Sequence, residues 1–370
     1  MQAVLACGVV LAVWWLMGNV TSNLERQNIA SGFDFLNERA GFGISQTLIE
    51  YSENHSYGRV LFVGLLNTLL VSILGIFFAS FLGFMLGVMR LSRNWLVAQL
   101  ATIYIEIFRN VPLLLQLMFW YFGVLRNLPS PRQAFAPIEG VFLSNRGIKL
   151  PALEFTTGAI WYGLAIAMVL VALFYLQRRG RLKRMATGYA KPIWLPLGVV
   201  ILVGFMGAII LGGRPFFLDM PELRGFNFRG GLTIIPEFIA LTLALSLYTA
   251  AFIAEIVRAG IMSVDKGQHE AASALGLPDG QSLRLIIIPQ ALRVIIPPLT
   301  SQYLNLTKNS SLAVAIAYPD IVSVFAGTAL TQVGQAIEII FITMLIYLTL
   351  SLLTSWLMNM YNRRIALEHD

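Results

Sequence analysis

Apolar stretches of bilayer length recur along most of this chain and limit what it can fold into. A helix needs about 20 apolar residues to cross the hydrocarbon core of a membrane, and several segments meet that length. Only 12% of the residues are charged and the mean hydropathy is +0.73, whereas soluble domains carry about 25% charged residues. Short segments of alternating polarity, typical of membrane β-barrels, do not occur in the sequence. The sequence therefore predicts an all-α integral membrane protein.

We predict about eight transmembrane helices. They cover residues 1–20, 60–89, 98–125, 155–176, 192–212, 237–257, a span that begins near Arg293 and is broken at 305–311, and 336–361. The first run has no basic residue before it, unlike a signal peptide, so we expect it to be a retained span. Gly83 and Gly87 in the second span form a G-x-x-x-G pair, which predicts close contact with another helix.

Basic side chains fix the predicted orientation. The loop 177–191 contains no acidic residue, and its basic residues are Arg178, Arg179, Arg181, Lys183, Arg184 and Lys191. Cytoplasmic loops of membrane proteins carry this excess, so we attribute the net charge of +7 to orientation rather than to nucleic-acid binding. With eight spans, both termini and the polar loop 263–289 are then cytoplasmic. Binding of anionic membrane lipids by the basic loop is compatible with this interpretation.

The polar loop 263–289 contains a long, regularly spaced pattern. It reads E-A-A-x3-G-x9-I-x-I-P from Glu270 to Pro289. Its alanines favour helix, and Gly276 followed by Pro278 ends a helix. We therefore predict a short helix over 268–275 and a turn over 277–280.

This pattern resembles the EAA motif of the inner-membrane permease subunits of bacterial ABC importers, with Ile288 in place of the motif's leucine. The resemblance implies that the loop docks on an ATPase subunit and carries its movement to the membrane helices. The residues that take part in this coupling would be Glu270, Ala271, Ala272, Gly276 and Pro289. A plain connecting loop is the alternative.

A second polar pattern lies in the third span and reads Y-x-E-x-x-R-x-x-P-x-x-x-Q from Tyr104 to Gln116. Glu106 and Arg109 are three residues apart, so they share a helix face and can form a structural ion pair. Pro112 removes a helical hydrogen bond and predicts a kink. The pattern resembles a signature of the polar amino-acid permeases of the histidine, glutamine, arginine and glutamate importers. A direct contact with substrate is the alternative to the ion pair.

Polar groups in two later spans are candidates for the transport pathway or its gate. Such groups are costly in lipid and should face protein or water, although serine and threonine also bond their own helix. The candidates are Ser246, Thr249, Asn305, Lys308, Asn309 and Ser310. The stretch that begins at Lys308, K-N-S-S-L, resembles the family's K-[DN]-[TS]-S-L.

The resemblance also implies a type I ABC importer transmembrane subunit with a five-helix core, an amino-terminal span and a two-span insertion. The implied divisions are 1–58 for the amino-terminal span and periplasmic segment, 59–125 and 237–370 for the core, and 126–236 for the insertion.

The function implied is a permease subunit that moves L-amino acids across the bacterial inner membrane by alternating access. No G-x-x-x-x-G-K-[ST] phosphate loop occurs in the sequence, so we expect ATP and magnesium to be bound by a partner and no cofactor by this chain. The expected partners are an ABC ATPase dimer, a second permease subunit that is a different chain, and a periplasmic amino-acid-binding protein. The alternative is an ion-coupled secondary transporter, for which neither an internal repeat nor paired midspan acids are found. One cysteine and scattered histidines predict neither a metal site nor a membrane-embedded enzyme.

Overall fold

The computed structural model describes residues 31–187 and 192–367, together with isolated positions between Cys7 and Asn23. The predicted span over 1–20 lies, apart from those positions, outside the described residues and stays a prediction. By its internal contacts the chain divides into two compact units, of which one comprises Met1–Asn127 and Ile235–Asp370, and the other Leu128–Ile234.

The helices account for most of the described chain. In chain order they are α1 (Tyr57–Arg90), α2 (Trp95–Asn110), α3 (Leu113–Met118), α4 (Ala159–Thr187), α5 (Trp194–Gly212), α6 (Pro236–Met262), α7 (Lys266–Ala274), α8 (Asp279–Ser282), α9 (Ile288–Asn309), α10 (Leu330–Val333) and α11 (Ala336–Leu367). Short π-helical and 3-10 stretches extend α3 to Asn127, join α8 to α9, extend α9 to Ile316 and precede α10.

Within the described ranges, six helices are long and apolar enough to cross a membrane, and a bent pair formed by α2 and α3 would make a seventh. The predicted all-α membrane class is confirmed. The predicted total of eight spans is not, because the first predicted span lies outside the described part of the chain.

Close contact between α1 and α6 forms the centre of the first unit. A Cβ atom at Gly83 would lie 2.6 Å from the Cβ of Ile253, and one at Gly87 would lie 2.7 Å from the carbonyl oxygen of Ala254. Only glycine fits at such distances, and small residues are what allow two membrane helices to approach this closely. The close helix contact predicted from the G-x-x-x-G pair is confirmed.

The polar segment that precedes α1 packs on the first unit. A 3-10 turn at Asp34–Asn37 carries Phe35, which is buried in an apolar cluster. Its aromatic neighbours in that cluster are Tyr57 at the start of α1 and Phe325 in the π-helical stretch before α10. The segment is therefore anchored by aromatic side chains within an otherwise polar sequence.

The predicted seventh span begins earlier than its sequence suggested. The continuous helix starts at Asp279 rather than near Arg293, and Pro297 and Pro298 lie inside α9. Membrane helices tolerate internal prolines because neighbouring helices and side chains satisfy the freed backbone groups. The break falls where α9 gives way to the 3-10 stretch Ser310–Ile316, which ends at Ala317 with a left-handed φ of 57°.

The second unit adds short strands to its two long helices, which the sequence did not predict. The strands are β1 (Phe135–Ile138), β2 (Val141–Ser144), β3 (Gly147–Leu150), β4 (Ala152–Phe155), β5 (Phe216–Asp219), β6 (Glu222–Arg224), β7 (Asn227–Arg229) and β8 (Leu232–Ile234). Four of them form an antiparallel sheet in the order β1-β2-β3-β8. Two further antiparallel pairs, β4 with β5 and β6 with β7, complete this part of the unit.

Helices α4 and α5 of the second unit form a hairpin. Glycines bring the backbones together at one end, because a Cβ atom at Gly158 would lie 1.9 Å from the carbonyl oxygen of Gly212. Farther along, Gly204 admits the side chain of Met168. Strands β4 and β5, which pair directly, continue the hairpin beyond the glycine end.

Candidate coupling loop and membrane pathway

The loop between α6 and the α8–α9 helix holds the short helix that the sequence predicts. Helix α7 runs Lys266–Ala274, against a prediction of 268–275. Its first turn is capped by Asp265, whose carboxylate accepts a hydrogen bond from the backbone N–H of Gly267 at 2.7 Å. Aspartate is among the preferred residues at this position because it satisfies an N–H that has no partner within the helix.

The carboxyl end of α7 is closed by Gly276. Its φ is +71°, a left-handed conformation in which glycine has no steric cost. The N–H of Leu277 bonds the carbonyl of Ala272 at 3.1 Å, and the N–H of Gly276 bonds the carbonyl of Ser273 at 3.0 Å. This pair of bonds is a Schellman cap. Helix α8 then begins at Asp279, so the turn occupies the positions just before it rather than 277–280.

Helix α7 presents most of its surface to the outside. Glu270 and Ala271 are exposed, whereas Ala272 is fully buried and forms the inner face. Leu275 at the carboxyl end is 77% exposed, a large apolar side chain with little contact in this chain. Pro289, the last residue of the pattern, is also exposed. Within α7 the small Ala272 is therefore buried, whereas Glu270 and Ala271 beside it are exposed.

Charged side chains gather at the end of the first unit that carries α7. Glu255 near the end of α6 pairs with Arg90 at the end of α1 and with Arg258, three residues farther along α6. Arg93, in the turn after α1, lies 3.3 Å from the carboxylate of Asp279 at the start of α8. These contacts place the ends of α1 and α6 and the loop 263–289 together at one end of the unit. Sequence reasoning missed Glu255 as the centre of this cluster, although its spacing to Arg258 was a signal.

The third span is broken rather than kinked. Helices α2 and α3 meet at 104°, and Pro112 stands at the amino end of α3. Gln116 stabilises the break, because its side-chain amide donates to the carbonyls of both Phe108 and Val111 at 2.9 Å. The Phe108 carbonyl is the group whose helical partner a proline at position 112 removes. The glutamine of the pattern therefore supplies the donor that the proline lacks.

The predicted ion pair between Glu106 and Arg109 is not formed. Both side chains are exposed; Glu106 accepts a hydrogen bond from Asn110 at 3.3 Å, and Arg109 lies over the ring of Phe252 at 5.4 Å. Helical spacing allows the pair, but an exposed ion pair gains little, and the aromatic ring on α6 attracts the guanidinium instead. Tyr104, the first residue of the pattern, also reaches α6, where its hydroxyl donates to the carbonyl of Leu247.

The pathway candidates on α6 lie inside the first unit. Ser246 and Thr249 are both buried. The hydroxyl of Ser246 has no hydrogen-bond partner, and the same is true of Thr242 one turn earlier. Two unpartnered hydroxyls on one face mark a place where a polar molecule can be bound or where water completes the hydrogen bonding.

The candidates on α9 separate into two environments. Asn305 and Lys308 are exposed, and Asn309 is half-buried. Ser310 is fully buried, and its hydroxyl donates to the carbonyl of Thr307 at 2.7 Å. Within the described residues, Lys308 forms no ion pair. Ser310 therefore belongs to the end of α9, whereas Lys308 is a cation on the exposed face of a span.

A buried polar network that the sequence did not predict holds the chain after Ala317. On α1, the Asn67 amide donates to the carbonyl of Pro319 at 2.8 Å, and the Thr68 hydroxyl accepts from the N–H of Ile321 at 3.1 Å. Asp320, fully buried, caps the next helical segment by accepting from the N–H of Ser323 at 2.8 Å. The adjacent polar residues 67 and 68 in the middle of a span were the available signal. Among the described residues, no group of three or more His, Cys, Asp or Glu side chains could hold a metal.

The chain is similar to known transport proteins over nearly its whole length. Residues 75–367 match the family described as "Binding-protein-dependent transport system inner membrane component". A relative in Escherichia coli, with the name "Putative amino-acid ABC transporter permease protein YhdX", is 58% identical over 99% of this chain and 93% of its own length. AapQ of Rhizobium johnstonii, a general L-amino acid transport system permease protein, is 51% identical over 96% of this chain and 88% of its own length.

A third relative is BztB of Rhodobacter capsulatus, a glutamate/glutamine/aspartate/asparagine transport system permease protein. It is 44% identical over 96% of this chain and 90% of its own length. The ion-coupled alternative has no support among these matches. The apolar helices, the exposed helix between α6 and α8 and a family match over most of the sequence lead to one conclusion: this chain belongs to the family of binding-protein-dependent transport system inner membrane components.

Proposed function

We propose that this chain is the permease subunit of an ATP-driven importer that carries L-amino acids across the inner membrane by alternating access. The observation that carries the proposal is helix α7, which is rigidly capped at both ends yet exposes Glu270, Ala271 and Leu275 at the charged end of an apolar bundle. An exposed, capped helix of this kind has the shape of a docking element. The substrate class follows from the names of the three relatives.

A separate ABC ATPase dimer binds ATP and magnesium and docks on α7. Closure of that dimer shifts the population between inward- and outward-facing states of the permease. The coupling residues are Glu270, Ala271, Ala272, Gly276 and Pro289, of which Ala272 packs inward and the others face the partner. A periplasmic amino-acid-binding protein and a second permease subunit complete the importer.

The direct test is ATP-dependent uptake by the reconstituted importer. Proteoliposomes that contain this chain, its ATPase and its partner permease should accumulate radiolabelled L-amino acids only when ATP and the binding protein are supplied. Uptake that follows an imposed sodium or proton gradient in the absence of ATP would instead establish the ion-coupled class.

The orientation places the charged end of the first unit and the basic segment of the hairpin in the cytoplasm, with both termini. Positive charge near the ends of spans supports this assignment. Residues 126–236 are an insertion of two spans into a core formed by 59–125 and 237–370, and the compactness of Leu128–Ile234 is in keeping with such an origin.

Cysteine labelling tests the orientation. After the single native cysteine, Cys7, is changed to serine, a cysteine at exposed Met185 should react with a membrane-impermeant maleimide only in inside-out vesicles. A cysteine at Gly225, in the turn between β6 and β7, should react only in right-side-out vesicles. Reaction of both positions from the same side would contradict the proposed topology.

Lys308 lies at the pathway between this chain and its partner permease. An exposed ammonium group on a span cannot face lipid without a large cost, and in this chain it has no carboxylate partner among the described residues. An aqueous pathway or a polar subunit interface removes that cost. Asn305 and Asn309, at i−3 and i+1, extend the same polar surface.

Replacing Lys308 with methionine should lower ATP-dependent uptake at least tenfold, the loss expected when about 1.4 kcal/mol of interaction is removed. Co-purification of the ATPase should be unchanged, because α7 is intact. Lys308→Arg should retain more uptake than Lys308→Met, and Lys149→Met on β3 serves as the control for loss of one lysine. Normal uptake by Lys308→Met, or loss of uptake together with loss of the ATPase, would remove Lys308 from the pathway.

A further inference from the structure

The α4–α5 hairpin is closed at one end and open at the other. At the closed end the backbones of Gly158 and Gly212 are in contact. At the other end, where α4 finishes and α5 starts, the helices border an open cavity of about 480 Å³. We call this space the hairpin cavity; its walls include Gln177, Gly180, Arg181, Arg184, Ile193 and Trp194.

One face of α4 forms a wall of the hairpin cavity. Gln177, Gly180, Arg181 and Arg184 follow the spacing i, i+3, i+4, i+7, which places them on a single helix face. A Cβ atom added at Gly180 would meet no atom within 4 Å, so the absence of a side chain there leaves the space open. This face of α4 therefore carries two guanidinium groups, and an open space separates the face from the start of α5.

The hairpin cavity is positive and lacks an internal counter-charge. No aspartate or glutamate occurs between Glu154 and Asp219 in the sequence. Neither Arg181 nor Arg184 takes part in an ion pair within the part of the chain that the structure describes. Arginine presents a planar fork of donors that matches the oxygens of a phosphate group. The ligand that this chemistry selects is an anion with several oxygens.

The position of the hairpin cavity along α4, relative to the membrane, indicates a lipid as its ligand. The apolar part of α4, residues 159–176, spans about 27 Å at 1.5 Å per residue, close to the thickness of the hydrocarbon core. The cavity begins at the next residue, Gln177, at the level of the headgroups. Trp194 opens α5 at the same level, where tryptophan is enriched in membrane proteins, and Ile193 adds an apolar wall.

We propose that the hairpin cavity binds the phosphate headgroup of an anionic phospholipid. Arg181 and Arg184 hold the phosphate, and Ile193 and Trp194 contact the first carbons of the acyl chains. The proposed orientation of the chain assigns this lipid to the cytoplasmic leaflet. The assignment of the leaflet rests on the proposed function, whereas the binding itself does not.

The test measures binding of phosphatidylglycerol to the purified full-length chain by native mass spectrometry, with phosphatidylcholine as the neutral lipid. Arg181→Gln with Arg184→Gln should weaken phosphatidylglycerol binding at least tenfold, because the direct hydrogen bonds from the two guanidinium groups to the phosphate are lost. Arg178→Gln with Arg179→Gln removes the same charge from the same helix outside the cavity walls and should have a clearly smaller effect. Gly180→Leu keeps every charge, suits a helix better than glycine, and should block binding by filling the space.

Three outcomes would overturn the proposal. Equal losses in the two arginine pairs would mean a diffuse basic surface rather than a site. Full binding by Gly180→Leu would mean that the lipid does not enter the cavity. Displacement of the lipid by millimolar inorganic phosphate would identify a site for soluble phosphates. None of these measurements involves uptake, so they stand apart from the test of transport.

Discussion

Gly276→Val is expected to leave the permease in the membrane and to uncouple ATP hydrolysis from amino-acid uptake. The φ of +71° at this residue is open to glycine but strained for any β-branched side chain. The strain of about 1–3 kcal/mol is small against the packing of the helical bundle. It acts directly on the Schellman cap, since both capping bonds depend on the left-handed residue.

Loss of the cap frees the carboxyl end of α7 and the exposed Leu275 beside it. Because 1.4 kcal/mol corresponds to a tenfold change in an equilibrium, docking of the ATPase should weaken about tenfold or more. We expect substrate-stimulated hydrolysis in proteoliposomes to fall toward its basal rate and uptake to fall with it. Replacing Glu270 should give a milder form of the same defect.

Gly280→Val is the matched control for this experiment. Gly280 lies four residues along the same loop, its surroundings are equally open, and its φ is not in the left-handed region. The two variants therefore differ in backbone strain and not in exposure or size. Equal behaviour of the two variants, or wild-type coupling in Gly276→Val, would make the loop a connector and not a coupling element.

Gln116→Leu is expected to destabilise the chain by about 2–4 kcal/mol, because two part-buried carbonyls each lose a donor. The leucine side chain has a similar volume and no N–H, so the Phe108 and Val111 carbonyls at the break between α2 and α3 stay unsatisfied. Lipid offers no replacement donors. Unfolding of the detergent-solubilised chain by increasing dodecyl sulfate should report the loss.

Gln133→Leu provides the comparison, since Gln133 is exposed on a turn of the second unit. Its effect should stay within about 0.5 kcal/mol, as for most surface changes. A Gln116→Leu variant as stable as this control would mean that the 104° break is held by helix packing alone.

The sequence predicts those features that depend on neighbouring residues. The position of α7, its end at Gly276 and the need for a special conformation there all follow from local helix and turn preferences. The sequence also predicts a close contact of α1 with another helix, because the glycines at 83 and 87 lie on one face and small residues allow helices to approach.

Features that join distant parts of the chain were not predictable from one sequence. Pro112 predicted a disturbed helix, but the size of the bend and the role of Gln116 depend on where the side-chain amide lies after the chain has turned. The partner of Glu255 on α1 is 165 residues away, and no spacing rule connects them. Asn67 and Thr68 were seen only as part of an apolar span, since their partners near Asp320 lie far along the chain.

Two features differ from what the sequence suggested, each for its own physical reason. Glu106 and Arg109 were paired because helical spacing brings them together, yet a ring on another helix attracts the arginine. Strands β2 and β3 were not predicted, because strands of four residues show too short an alternation to be recognised. For Arg109, a contact with another helix decided between locally acceptable conformations.

The contact between α1 and α6 has a mechanical consequence. Gly83 and Gly87 lie directly against the backbone and side chains of α6. No layer of interdigitating side chains separates the two helices there. Shear motion, in which packed helices slide past each other, is therefore disfavoured at this contact. Arg90 and Glu255 fasten the same pair at its charged end. We therefore expect the two helices to move together, and because α7 follows α6 after only a few residues, a movement of α7 would act on both. Irregular backbone in the first unit lies elsewhere, for example at the broken helix around Pro112 and at the left-handed Ala317.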